Sequence, residues 1–259
     1  MHPILFKLSD SFTIYSYGFF IVIGAISGLS YVGYQANKKY NTSFDTINSL
    51  FLLLLISAFG GGKFFLFFER PGYFSENFTA LLTGRGFVFY GSLLFCIPAM
   101  LYFFKKQRLP VLPMLDIMAV TTCIVHFFGR IGCFMAGCCH GIEWHGPLAV
   151  TFTDEACLAP LNVSLHPTQL YSSGMILIIL LILLLVKRIQ KFDGQLFMLY
   201  LMLYALGRSV LDIFRGDLSR GFIVENYISN SQFISFIVIS ISGYIYYRLS
   251  KQPSMSIND

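Results

Sequence analysis

Phe128-Gly129-Arg130-Ile131-Gly132-Cys133-Phe134-Met135-Ala136-Gly137-Cys138-Cys139-His140-Gly141 closes a long apolar segment and opens a polar one. Its four glycines, Gly129, Gly132, Gly137 and Gly141, let the backbone turn tightly and come close to a ligand. Arg130 stands where the apolar segment meets water, and a cation at a membrane border is costly to place without a use. The stretch therefore reads as the end of a membrane-crossing helix that hands a charged group to a loop.

The rest of the chain agrees with a membrane setting. Of its 259 residues 56% are hydrophobic and only 12% charged, against about 25% charged in a soluble domain. The mean hydropathy is +0.68. Seven stretches approach the roughly 20 apolar residues that a crossing helix needs: 17–34, 47–68, 87–104, 112–128, 168–186, 196–214 and 232–247. This pattern predicts an all-α integral membrane protein, a seven-transmembrane-helix bundle forming one polytopic domain over residues 1–259. No basic lead precedes the first apolar run and no A-x-A-like cleavage site follows it, so that run reads as a retained span. The net charge of +5 is small and argues for no nucleic-acid partner. Six unevenly spaced cysteines are not the framework of a small secreted disulfide domain.

Charge sets the expected orientation. The links after the first, third, fifth and seventh spans hold 10 of the 18 basic residues, and of the acids only Asp45, Asp193 and Asp259. The opposite side carries Asp10, Glu69, Glu76, Glu143, Asp154, Glu155, Asp217 and Glu225. The positive-inside rule then puts the N-terminus outside and the C-terminus in the cytoplasm. The long connections, 69–86, 129–167 and 215–231, all fall outside. Loops carry sites, so the working face is expected at the outer leaflet.

Polar residues within the spans mark the site. Tyr204, Arg208, Asp212 and Arg215 are spaced by four, four and three, which places them on one face of a continuous helix. Two arginines around one aspartate either staple helices together or leave guanidinium donors for an anion such as phosphate. His126, Arg130 and Cys133 repeat that spacing at the end of the fourth span, so Arg130 and Arg208 can grip one phosphate from two helices. His166-Pro167-Thr168-Gln169-Leu170-Tyr171 opens the fifth span and adds His166, Gln169 and Tyr171 on the same outer side. Thr168 reads as a residue that satisfies backbone groups. Asp116 reads as a boundary residue near the cytoplasmic start of the fourth span. Lys63 either snorkels or faces the bundle.

Cys133, Cys138, Cys139 and His140 crowd into eight residues. Adjacent cysteines rarely share one tetrahedral ion, so no metal is expected. A disulfide from Cys157 to Cys138 or Cys139, a reactive thiol and plain packing stay open.

The GRIGCFMAGCCHG stretch resembles the signature segment of the prolipoprotein diacylglyceryl transferase family. Tyr17-Gly18, Gly61-Gly62-Lys63, HPTQLY at 166–171, Tyr204-x-x-Gly207-Arg208 and Ser231-Gln232 fall in that family's order across nearly the whole chain. The resemblance implies an enzyme of the bacterial cytoplasmic membrane. It would move the diacylglyceryl group of phosphatidylglycerol to the lipobox cysteine of a preprolipoprotein, form a thioether and release glycerol phosphate. Its partners would be those two substrates and membrane lipids, with no cofactor and a monomeric state.

The resemblance gives Arg130 and Arg208 the lipid headgroup, makes Tyr17 and Tyr204 site tyrosines and lets Gly141 end the signature turn. Gln169, Asp212 and Arg215 join the substrate-binding set. The chain departs from the family pattern at Cys133 (usually Asn), Cys138 (usually Glu), Tyr90-Gly91-Ser92 (usually His-Gly-Gly) and Asp212 (usually Glu). With the third-span histidine replaced, Tyr90, His166 or His140 is left to accept the thiol proton. Two other readings are a divergent relative with another acceptor and a membrane thiol–disulfide protein using Cys138 and Cys139.

Overall fold

The structure is a computed structural model that describes residues 2–9, 12–70, 72–73, 88–215, 222–224 and 228–251. Seven helices account for most of these: α1 Ser16–Tyr40, α2 Phe44–Glu69, α3 Phe89–Lys106, α4 Val111–Ala136, α5 Thr168–Lys187, α6 Gln195–Asp212 and α7 Asn230–Ser250. Each coincides with one of the seven apolar stretches. Five of them, α1, α2, α4, α5 and α7, are long and apolar enough to cross a membrane. Large apolar side chains such as Ile56, Phe68 and Phe236 stand mostly exposed, as on a lipid-facing surface.

Three antiparallel two-stranded pairs accompany the helices: β1 Ile4–Ser9 with β2 Phe12–Tyr15, β3 Val150–Thr151 with β4 Ser164–Leu165, and β5 Phe222–Val224 with β6 Ile228–Ser229. The helical pattern of the sequence does not announce them. The expected outer loop 69–86 and the tail 253–259 fall almost wholly outside the described residues, as does much of 215–231.

The chain forms two compact units, Met1–Tyr31 with Leu115–Asp259, and Val32–Met114. In the smaller unit α2 begins at Ser43, whose hydroxyl accepts from the Thr46 backbone amide at 3.2 Å. Gly61 of α2 and Gly91 of α3 face each other so closely that a Cβ at 61 would lie 2.5 Å from the Gly91 carbonyl oxygen. Lipid is as apolar as leucine, so helices gain from backbone proximity and packing rather than from leaving water. Ser92 adds a hydroxyl bond to the Ala58 carbonyl at 2.8 Å. Lys63 is buried, with its ammonium over the Phe59 ring at 5.2 Å from the centroid.

In the larger unit Ala119, Val120 and Cys123 of α4, Ile176, Ile179 and Leu183 of α5, and Leu196 and Tyr200 of α6 form the core. Gly28 lets α1 approach α4, since a Cβ there would lie 2.6 Å from a Val125 methyl. Asp116, near the start of α4, does more than mark a boundary: it holds the start of α6. It is 4% exposed. Its carboxylate accepts from the Gly194 and Phe197 backbone amides at 2.7 and 2.9 Å and from the Gln190 side chain at 2.7 Å. A carboxylate on α4 thus satisfies the amides of the N-cap Gly194 and of Phe197 in the first turn of α6, and lies at the positive end of that helix's dipole. α7 starts with a capping box between Ser229 and Gln232.

Candidate active site

α4 runs past the expected end of its span to Ala136, so His126, Arg130 and Cys133 do share a helical face. The Arg130 Nε donates to His126 Nε2 at 3.1 Å. That bond turns the guanidinium along α4 and keeps the facing imidazole nitrogen an acceptor. α6 ends at Asp212, earlier than the four-residue stripe requires. Arg208 and Asp212 pair along the helix, Nη1 to Oδ1, at 2.8 Å. Tyr204 stacks on Tyr200 with ring centroids 5.8 Å apart and meets the His126 ring at 5.5 Å.

Arg215 lies beyond the helix, in an antiparallel bridge with Gly141, so the single-face reading is corrected for that residue. It still reaches the same place. A small cavity of about 10 Å³ is lined by His126 and Arg130 from α4, Thr168, Ser172 and Met175 from α5, Tyr204, Arg208 and Leu211 from α6, and Arg215. Three arginines, one from α4, one from α6 and one just beyond α6, therefore border one cleft. Its empty volume holds about one water-sized group.

The bridge depends on Gly141. Its amide donates to the His166 carbonyl at 2.9 Å, and the Ile142 amide donates to the Phe214 carbonyl at 3.1 Å. A Cβ at 141 would meet the Phe214 carbonyl oxygen at 2.5 Å and the His166 Cβ at 2.6 Å. Only glycine lets the signature turn, the start of α5 and the end of α6 meet there.

The other expected residues are placed differently. His166 lines a second, more open cavity of about 450 Å³ with Trp144, Pro147, Leu148, Tyr171, Leu211 and Phe214. Its ring stacks on Trp144 at 4.8 Å, and its Nδ1 lies 3.1 Å from the Tyr171 hydroxyl. Leu211 borders both cavities. Gln169 is fully buried and lines neither; its amide nitrogen donates to the Cys138 carbonyl at 2.7 Å. Thr168, read as a backbone-satisfying residue, does donate to the Cys139 carbonyl at 2.7 Å, yet it also lines the arginine cleft. Tyr17 is partly exposed at the start of α1, and its backbone carbonyl lies 3.2 Å from where a Cβ on Gly132 would sit. Tyr90 stands 63% exposed in the smaller unit. Sequence spacing did not single out Ser172, Met175, Leu211 or Trp144, because each looks like an ordinary residue of a span or loop.

The connection from 137 to 167 is a folded element. Phe152, Ala159 and Leu165 form its own core, against which Phe134, Val150, Cys157 and Val163 pack. All six cysteines are free thiols. Cys157 belongs to this small core, whereas the sulfurs of Cys133, Cys138 and Cys139 lie within 4.8 Å of one another. The Cys133 and Cys138 thiols hold the Cys139 thiol below its ordinary range, with Arg130 and Arg215 adding to the effect, while the Cys138 thiol is pushed up by its cysteine neighbours.

The model of the family described as prolipoprotein diacylglyceryl transferase matches residues 3–248. A Clostridium tetani protein named phosphatidylglycerol--prolipoprotein diacylglyceryl transferase is 34% identical over 95% of this chain and 97% of its own length. A Clostridium perfringens protein named phosphatidylglycerol--prolipoprotein diacylglyceryl transferase 2 is 31% identical over 92% and 91%. A Dehalococcoides mccartyi protein with the first name is 25% identical over 96% and 95%. The order of motifs, the arginine cleft and these full-length similarities lead to one conclusion: the chain belongs to the prolipoprotein diacylglyceryl transferase family.

Proposed function

We propose that the protein transfers the diacylglyceryl group of phosphatidylglycerol to a cysteine thiol of a prolipoprotein. The observation that carries this reading is the convergence of Arg130, Arg208 and Arg215 on one cleft. A phosphodiester is an anion, and guanidinium donors match its oxygens. The cleft holds about one water-sized group, so the headgroup binds with a shift of uncharged lining side chains such as Met175 while the arginines stay in place. In the reaction the thiolate sulfur attacks the glyceryl carbon attached to the phosphate oxygen. The carbon–sulfur bond forms as the carbon–oxygen bond breaks, and glycerol phosphate leaves with that electron pair. Negative charge grows on the leaving phosphate, where pre-placed arginines stabilise the transition state.

The thiol proton needs an acceptor of modest strength, because thiols ionise near pH 8.5. We assign that role to His166, which lines the wider cavity adjoining the cleft through Leu211. The apolar walls of that cavity suit the small apolar residues around a lipobox cysteine. Tyr90 is a second candidate for the proton on sequence position alone. Tyr17, Tyr204, Gly141, Gln169 and Asp212 are substrate-positioning residues in this reading, with Gln169 acting through the Cys138 turn.

The seven helices form a single polytopic domain in the bacterial cytoplasmic membrane, with the N-terminus outside, the C-terminus inside and the cleft at the outer leaflet. The basic residues concentrated in alternate links support that orientation. The test is glycerol phosphate release from phosphatidylglycerol vesicles supplied with a lipobox peptide, with mass spectrometry of the peptide. A diacylglyceryl thioether is expected. Replacing the peptide cysteine by serine abolishes it. Peptide left unmodified by folded protein refutes the assignment.

A further inference from the structure

We propose that Cys133, Cys138 and Cys139 form a three-sulfur site for one thiophilic d10 cation of the Zn²⁺, Cd²⁺ or Cu(I) class. This site is separate from the transfer reaction, and none of the three cysteines lines the arginine cleft. Their sulfurs lie within 4.8 Å of one another. A zinc–sulfur bond of about 2.3 Å in tetrahedral geometry sets sulfurs about 3.8 Å apart, so no pair needs to close by more than about 1 Å. A disulfide needs about 2.05 Å and would employ only two of the three sulfurs.

Neighbouring side chains in a chain usually diverge, which is why the sequence argued against a shared ion. The backbone removes that objection. Gly137 has φ 75° and Cys139 has φ 59°, both left-handed. For a residue with a Cβ that conformation costs about 1 kcal/mol or more. It reverses the chain after α4 so that Cys138 and Cys139 both face Cys133. The turn is anchored from outside the cluster by Thr168 on the Cys139 carbonyl and by Gln169 on the Cys138 carbonyl, each at 2.7 Å.

Two further features suit a metal. Three thiolates around a divalent ion leave one net negative charge, and Arg130 and Arg215 place positive charge near Cys139. The Gln169 Oε1 is buried with no hydrogen-bond partner among the described residues. With three protein ligands a tetrahedral ion keeps a fourth position for water. A bound ion would clamp the turn that carries Gly141 into its bridge with Arg215.

The experiment uses the full-length protein in detergent, fully reduced and without oxygen, titrated with Cd²⁺. The expected result is a saturable thiolate-to-metal charge-transfer absorption at one ion per chain, with a rise in melting temperature. Cys133→Ser, Cys138→Ser and Cys139→Ser each abolish the saturable absorption, whereas Cys96→Ser and Cys157→Ser keep it. X-ray absorption of the Zn²⁺-loaded wild type should give three sulfurs at about 2.3 Å. An absorption that survives the triple serine variant, or none in the wild type, overturns the proposal. If the serine variants fail to fold, the wild-type sulfur count decides, and fewer than three sulfurs rejects the site.

Discussion

Arg208→Ala separates a phosphate-binding arginine from a structural ion pair. Arg208 is 24% exposed at its side chain and its partner Asp212 is 1% exposed, with 2.8 Å between Nη1 and Oδ1. Removing one partner of a fully buried pair costs about 3–5 kcal/mol. The partial exposure of Arg208 lowers the expected loss of stability to about 2–3 kcal/mol. A guanidinium carries five N–H donors, so pairing with Asp212 leaves others for a phosphate. If those donors act on the leaving group, their loss lowers turnover by about 10²–10³-fold, or about 2.7–4 kcal/mol of transition-state stabilisation.

The two effects come apart in the double variant Arg208→Ala with Asp212→Asn. A neutral amide needs no counter-charge, so melting temperature should recover most of the way while turnover stays low. Arg208→Lys should rescue turnover only in part, since an ammonium is a point charge without the planar fork. The assay is glycerol phosphate release at saturating phosphatidylglycerol, on protein shown by melting to be folded. Turnover within about threefold of wild type in Arg208→Ala, a barrier change of well under 1 kcal/mol, refutes the phosphate-binding role. Turnover that returns together with stability in the double variant refutes it as well.

Gly141→Ala should lower turnover at least tenfold and reduce stability by about 1–3 kcal/mol, because its Cβ would press on the Phe214 carbonyl oxygen at 2.5 Å. Wild-type melting and turnover would remove the close-approach argument. Asp116→Ala strands three donors held at 2.7–2.9 Å and should cost about 3 kcal/mol or more, read as a lower melting temperature with turnover per folded molecule little changed. His166→Gln should slow transfer most at low pH, where fewer acceptor thiols are already ionised. A pH–rate profile parallel to wild type would transfer the proton-accepting role elsewhere. A reporter fused after Asp259 should be active only in its cytoplasmic form, and activity of a periplasmic reporter there would reverse the orientation and the leaflet of the site.

Local sequence alone specifies the seven helices and marks the charged residues within them. Hydrophobic runs of span length fold as helices because lipid offers no partner for backbone amides and carbonyls. Arg130 and Arg208 stood out because a charge in such a run is costly unless it is used. What periodicity cannot hold is where a helix stops and what meets it there. Arg215 looked like the next step of the α6 stripe, but the helix ends at Asp212 and the arginine arrives through a backbone bridge to Gly141. Asp116 looked like a boundary residue because its partners, Gly194 and Phe197, lie 78 and 81 residues further along the chain. His166 and Arg130 looked like one constellation, yet they line adjoining cavities joined at Leu211. The three cysteine sulfurs converge at a turn in which both Gly137 and Cys139 adopt left-handed backbone conformations. Spans are decided by local composition, whereas caps, bridges and turns are decided by donors and acceptors brought together from distant parts of the chain.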